Sequence, residues 1–317
     1  MLVSLITPSL GPDGNLITAR RYSRILKGLG HRVRLQRVWD RRPCDMMIAL
    51  HARRSHSSIV QFQQKYPRSP LVVVLTGTDL YQDLNKGKVV LDSLERATRL
   101  VLLQEQADKK LPPAFSSKSR VIYQSAETIV GVRRPSTYFR IAVIGNLRAE
   151  KDPLRAAYAV RRLPESSRVR VFHAGRSTAS SMKRAAIRET KINPRYRWLG
   201  ELPHWRSRRL IAGSHLLIVT SRIEGSSNAL SEALASYVPC LASAIPGLIG
   251  TLGQDYPAYY QVGDTAALTK LIVRAESDSS FYDRITSHCH AVRHLVAPER
   301  EFNSWKSLLS ELPTMNR

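Results

Sequence analysis

Short, largely apolar runs recur along this chain, and nearly every one stops at a cluster of glycine, arginine or carboxylate residues. Residues 2–7, 31–38, 46–50, 71–75, 99–104 and 120–123 form one series. Residues 138–144, 168–172, 196–199, 216–220 and 240–242 form a second. Runs of this length, bounded by turn residues, predict strands of parallel sheets buried on both faces. Helical spacing fills the intervals. After the first run, Leu16, Ala19, Tyr22, Ile25, Leu26 and Leu29 share a face, and Gly30 stops the helix. Two successive series of this kind predict an α/β fold of two Rossmann-like domains. The first is placed at 1–135 and the second at 136–296, with a linker-like stretch at 131–136 and a C-terminal helix of about 297–317 crossing back to the first. Ligands of open α/β sheets bind beyond the carboxyl ends of the strands, so the clusters found there are expected to converge.

Residues 224–232 hold the most informative cluster. Glu224 and Glu232 stand with Gly225, Ser226, Ser227 and Asn228 among the seven residues between them. Run 216–220 leads in, Leu230, Leu234 and Tyr237 follow at helical spacing, and Pro239 ends the helix. Ser226 or Ser227 can cap that helix and leave the amides of 226–228 pointing outward, where phosphate oxygens bind. Glu232 leans back toward the helix N-terminus. The segment thus offers amides for a diphosphate and two carboxylates for sugar hydroxyls; the plain alternative is one loop glutamate and one surface-helix glutamate.

Other strand ends carry cations and small residues. Arg148 and Lys151 precede a helix expected to begin near Asp152–Pro153, and two cations there suit a departing diphosphate. Gly175 lies in the next such loop, 173–177. Gly11 and Gly14 flank Asp13 in the first loop, where a tight turn is an equal reading. Arg53 and Arg54 sit between a strand and a helix and can hold a small oxyanion acceptor. Thr76, Gly77, Thr78 and Asp79 lie at the neighbouring strand end; Asp79 serves either an acceptor or a helix cap. His51 is a possible proton shuttle.

Composition narrows the classes. The net charge of +24, from 49 basic and 25 acidic residues, favours anionic partners, but the basic residues are scattered and choose no single one. Cys44, Cys240 and Cys289 are far apart and odd in number, which predicts neither a disulfide framework nor a zinc ribbon and fits a reducing cytoplasm. Residues 1–10 lack a basic leader, and no apolar run approaches the ~20 residues of a membrane span. Gly-x-Gly-x-x-Gly, Walker and Asp-x-Asp patterns are missing, so no dinucleotide cofactor and no bound metal are expected.

The Glu224–Glu232 segment resembles the Glu-x7-Glu motif of retaining-type GT-B glycosyltransferases, whose two Rossmann-like domains face a central cleft. The resemblance implies that Glu224 meets the donor sugar and Glu232 the ribose. It places Lys151 on the diphosphate, with Asn146 where relatives carry Arg and Arg148 as the substitute cation. Gly14 and Asn15 match a backbone approach to donor and acceptor, and Leu202 and Trp205 fall at the nucleobase slot, though Trp205 suits a core equally. His51-Ala-Arg-Arg-Ser55, Thr76-Gly-Thr-Asp-Leu-Tyr81, Val121-Ile-Tyr-Gln-Ser-Ala126 and the stretch 195–206 are similar to the selenosugar synthases of selenoneine biosynthesis. That family implies transfer of a sugar from a UDP-sugar, such as UDP-N-acetylglucosamine or UDP-glucose, to selenophosphate, releasing UDP and then phosphate. Selenophosphate is already ionised, so such a site needs anion holders and no strong base. Two rivals stay open: a GT-B enzyme acting on a hydroxyl of a lipid or glycan, and a non-catalytic nucleic-acid binder, which the 7% aromatic content disfavours.

Overall fold

The computed structural model describes residues 1–9, 11 and 14–313. Its first part alternates β1 (Leu2–Ile6), α1 (Gly14–Gly28), β2 (Arg32–Gln36), β3 (Met46–Leu50), α2 (His56–Lys65), β4 (Leu71–Val74), α3 (Lys88–Arg96), β5 (Arg99–Leu102) and β6 (Ser119–Val121). These strands pair in parallel in the order β2-β1-β3-β4-β5-β6. Successive side chains of a strand point to opposite faces. Met46, Ile48 and Leu50 therefore join Ala19, Tyr22 and Leu26 of α1, while Met47 and Ala49 join Ile59 and Phe62 of α2. Helices cover both faces, which is why β3 is apolar at every position.

The second part contains β7 (Phe139–Ile144), α4 (Arg155–Val160), β8 (Val169–Ala174), α5 (Ser180–Ile192), β9 (Tyr196–Trp198), α6 (His204–Ala212), β10 (Leu216–Val219), α7 (Asn228–Ala235), β11 (Cys240–Ser243), α8 (Pro246–Leu252), β12 (Tyr259–Tyr260), α9 (Thr265–Ser277) and α10 (Ser279–Val292). The parallel order β12-β11-β10-β7-β8-β9 is the doubly wound arrangement of Rossmann sheets. At two residues, β12 is too short for any periodic signal, and the sequence does not betray it.

Residue contacts gather Met1–Gln124, Glu224–Ser226 and the chain from Pro298 into one compact unit. Ser125–Ile223 and Ser227–Ala297 form the other. The joint after Gln124 comes ahead of residues 131–136, whose Arg134 donates to the Tyr237 carbonyl of the second unit at 2.9 Å. The last helix, α11 (Pro298–Ser310), completes the first unit's core. Its Trp305 meets Tyr22 edge-on at 4.7 Å between ring centroids, and Glu301 accepts from Arg21 Nε at 2.9 Å. Among the described residues, no helix is long and apolar enough to cross a membrane.

Candidate functional site

In the second sheet β7 and β10 are neighbours, and the chain winds away from them in opposite directions. In open α/β sheets such a switch point is where ligands bind, beyond the carboxyl ends of the strands. Backbone and side-chain bonds fasten the loops leaving it. Thr220 Oγ1 donates to the Lys151 carbonyl at 2.7 Å, and the Arg222 amide donates to the Glu150 carbonyl at 2.8 Å. From β8, His173 places Nε2 2.9 Å from the Gly145 carbonyl and Nδ1 2.8 Å from the Tyr196 hydroxyl. Burial lowers the imidazole pKa to about 4, so the ring is neutral: Nε2–H donates to Gly145 and Nδ1 accepts from Tyr196. Gly175 has to be glycine here, because any Cβ would collide with the Gly145 carbonyl.

The loop after β7 departs from the sequence reading in one respect. No α-helix begins at Asp152–Pro153: Ala149–Lys151 forms a single 3₁₀ turn, Asp152 adopts a left-handed φ of 42°, and α4 starts at Arg155. The Asp152 carboxylate holds Arg155 Nε at 2.9 Å. Arg148 and Lys151 are therefore presented by a turn and not by a helix N-terminus.

After β10 the motif folds largely as its residues dictate. Ser227 is the cap of α7, its Oγ accepting from the Leu230 amide at 3.3 Å, and Asn228 opens the helix. Glu232 lies on α7 with its side chain 8% exposed, and its Oε1 is 2.6 Å from His204 Nε2. His204 begins α6 and had no signal in the motif itself; Pro203 at the cap position is the only local sign that a helix starts there. The helix ends two residues short of Tyr237, which takes a left-handed φ of 57° and lies at the surface, stacked on His290. Tyr237 is thus not part of the buried face. Leu202 is half-buried ahead of α6, whereas Trp205 is 59% exposed beneath the Arg206 guanidinium, which removes its core alternative.

The first unit's switch point lies between β1 and β3. Gly14 and Asn15 stand in the first turn of α1 and not in a loop, while Asp13 lies outside the described residues. Beyond β3, His51 is buried with a left-handed φ of 69°, a costly conformation for a residue with a Cβ. Asp79 is fully buried, and its carboxylate accepts from the amides of Ala52, Thr76, Gly77 and Leu80 at 2.8–3.2 Å. It thereby ties the loop after β3 to the loop after β4. This use of both oxygens makes Asp79 a positioning group and not a contact for an acceptor.

His51 Nδ1 accepts from the Arg54 amide at 3.3 Å, leaving Nε2–H to donate to Thr78 Oγ1 at 2.9 Å. Burial, aided by Arg54 and opposed by Asp79, lowers the His51 pKa and favours this neutral form. Both Arg53 and Arg54 are exposed, but Arg53 already pairs with Asp83 at 2.7 Å. In this unit, which includes Glu224–Ser226, Gly225 lies so close to Thr76 and Gly77 that a Cβ on it would overlap their backbone.

The sequence profile described as Glycosyl transferases group 1 matches residues 125–288. No curated protein sequence matches significantly. Solved structures share the fold at low identity. Sucrose-phosphate synthase from Thermosynechococcus elongatus superposes with a TM-score of 0.81 at 15% identity, covering 98% of this chain and 99% of that one. HepE of Anabaena, solved in complex with UDP and glucose, gives 0.79 at 15% identity, covering 98% and 100%. A glycosyltransferase from Rickettsia africae gives 0.72 at 13% identity, covering 98% and 99%. Two parallel-sheet Rossmann-like units of this kind constitute the GT-B fold. Because the profile spans more than half of its residues, the chain belongs to the group 1 glycosyl transferases.

Proposed function

We propose that the protein transfers a sugar from a UDP-sugar to selenophosphate, forming a selenosugar. The donor half rests on one observation above the others: the loops after β7 and β10 are bonded together at the switch point of the second sheet. Arg148 and Lys151 come from one loop and the capped start of α7 from the other. Cations and helix N-terminal amides at such a place stabilise a diphosphate as its charge grows. Asn146 and Gly175 shape the same loops, Leu202 lies toward the base, and Glu232 accepts from the ribose. Glu224 and the Gly225–Asn228 backbone serve the donor sugar and its phosphates.

The acceptor half rests on the resemblance in the first unit's loops and on their anion-holding chemistry. Arg54, the Thr76 and Thr78 hydroxyls and the Gly77 backbone hold selenophosphate; Gly14 and Asn15 border it, Arg53 contributes less because Asp83 already pairs with it, and Asp79 fixes the loops. Selenium attacks the anomeric carbon as the bond to UDP breaks, and UDP leaves with the electron pair. Water then cleaves the phosphorus–selenium bond and releases phosphate.

The test is incubation with a panel of UDP-sugars, with selenophosphate or with hydroxyl acceptors, and mass analysis of the products. Selenium-bearing sugars with stoichiometric UDP support the proposal; glycosylated hydroxyl acceptors without any selenosugar refute its acceptor half. Arg54→Ala should raise the selenophosphate requirement about tenfold, equivalent to ~1.4 kcal/mol, with UDP affinity unchanged.

A further inference from the structure

One arginine outside the predicted set has the surroundings of an anion ligand. Arg176 follows β8, and its amide donates to Asn146 Oδ1 at 3.1 Å while its carbonyl accepts from the Leu147 amide at 2.8 Å. Leu147 and Ser177 form a parallel bridge between the two loops. Leu147 is fully buried, and residues adjacent to a bridge project from its opposite face. Arg148, in extended conformation at φ −136° and ψ 152°, and Arg176 therefore share that opposite face.

Each of the two arginines has a buried Nε–H with no hydrogen-bond partner among the described residues. Leaving a buried donor unmatched costs about 1–3 kcal/mol, and more when it is charged. Two such donors on one face of the same pair of loops favour a ligand with several anionic oxygens.

We propose that Arg176 is a second guanidinium ligand of the donor's diphosphate, acting beside Arg148 and held in place by the Asn146 side chain. The inference rests on the UDP-sugar reading above. Calorimetric titration with UDP, UMP and uridine tests it on the parent protein and on Arg176→Gln, Arg176→Lys and Arg148→Gln. The parent should prefer UDP to uridine. Arg176→Gln should lose tenfold or more in UDP affinity with uridine binding and Tm unchanged, and Arg176→Lys should recover part of the loss. Unchanged UDP affinity in Arg176→Gln overturns this assignment while leaving the donor reading intact. A joint fall in UDP affinity, uridine affinity and Tm makes Arg176 structural and overturns it too. A parent that does not prefer UDP to uridine overturns the donor reading itself.

Discussion

His173 carries no motif, yet its imidazole sets the position of the Gly145 carbonyl and hence the start of the loop bearing Arg148 and Lys151. Its folded pKa of about 4 lies below the unfolded value of about 6.5. Between those values the unfolded chain binds a proton that the folded chain refuses, so stability is lost as pH falls through the window. The full difference corresponds to about 3 kcal/mol. Urea unfolding at pH 7 and pH 4.5 should show a larger loss for the parent than for His173→Gln, by ~2–3 kcal/mol; equal losses would remove His173 from the acid response. The two glutamates make a separate prediction. Glu232→Gln should weaken UDP by about 1–3 kcal/mol, the scale of a charge-assisted hydrogen bond, whereas Glu224→Gln should spare UDP and slow transfer. Identical UDP titrations for both variants and the parent would refute the Glu232 assignment. The helical place of Glu232 was legible from its spacing, but its partner His204 was not. The pair is 28 residues apart, and no local pattern announces that α6 brings an imidazole to that carboxylate.

At the scale of elements, the strands were the legible part, because burial on both faces leaves an unbroken apolar run such as 46–50. The start of α4 was misread because Pro153 imitates an early helical position, while Asp152 turns left-handed and its carboxylate meets Arg222, 70 positions on, at 3.7 Å as well as the nearby Arg155. The anchoring role of Asp79 was hidden for a related reason: the Ala52 amide that it accepts from lies 27 positions away. Loop contacts such as these depend on close approach, and Gly175 offers the sharpest check. Gly175→Ala must displace the Gly145 carbonyl, at an overpacking cost of about 1–3 kcal/mol. A reduced urea midpoint together with weaker UDP binding is expected. Unchanged values in both measurements would mean that the two loops can separate freely.

Over the whole molecule, the two-series reading anticipated the repeated α/β pattern, but strand order was not legible, since pairing between distant runs leaves no mark on either one. The core of the first unit also depends on α11, which contributes Trp305 and Leu308 from nearly 300 positions after β1. Arg21 and Glu301 are both buried where α1 meets α11. Glu301→Ala should cost about 3–5 kcal/mol by leaving a buried charge without this carboxylate. The loss is read from the near-ultraviolet signal of Trp39 and Trp305, both in the first unit's core; a change under ~1 kcal/mol would refute the role of the pair. This arrangement also bears on the order of synthesis. Domains commonly mature from the N-terminus as the ribosome delivers them. Here the residues made first must wait, with Tyr22 and its apolar neighbours uncovered, until α11 has left the exit tunnel. The unit translated later already has its whole span, through Ala297, by then. During translation, the apolar face under α11 is thus the last part of the core to be covered.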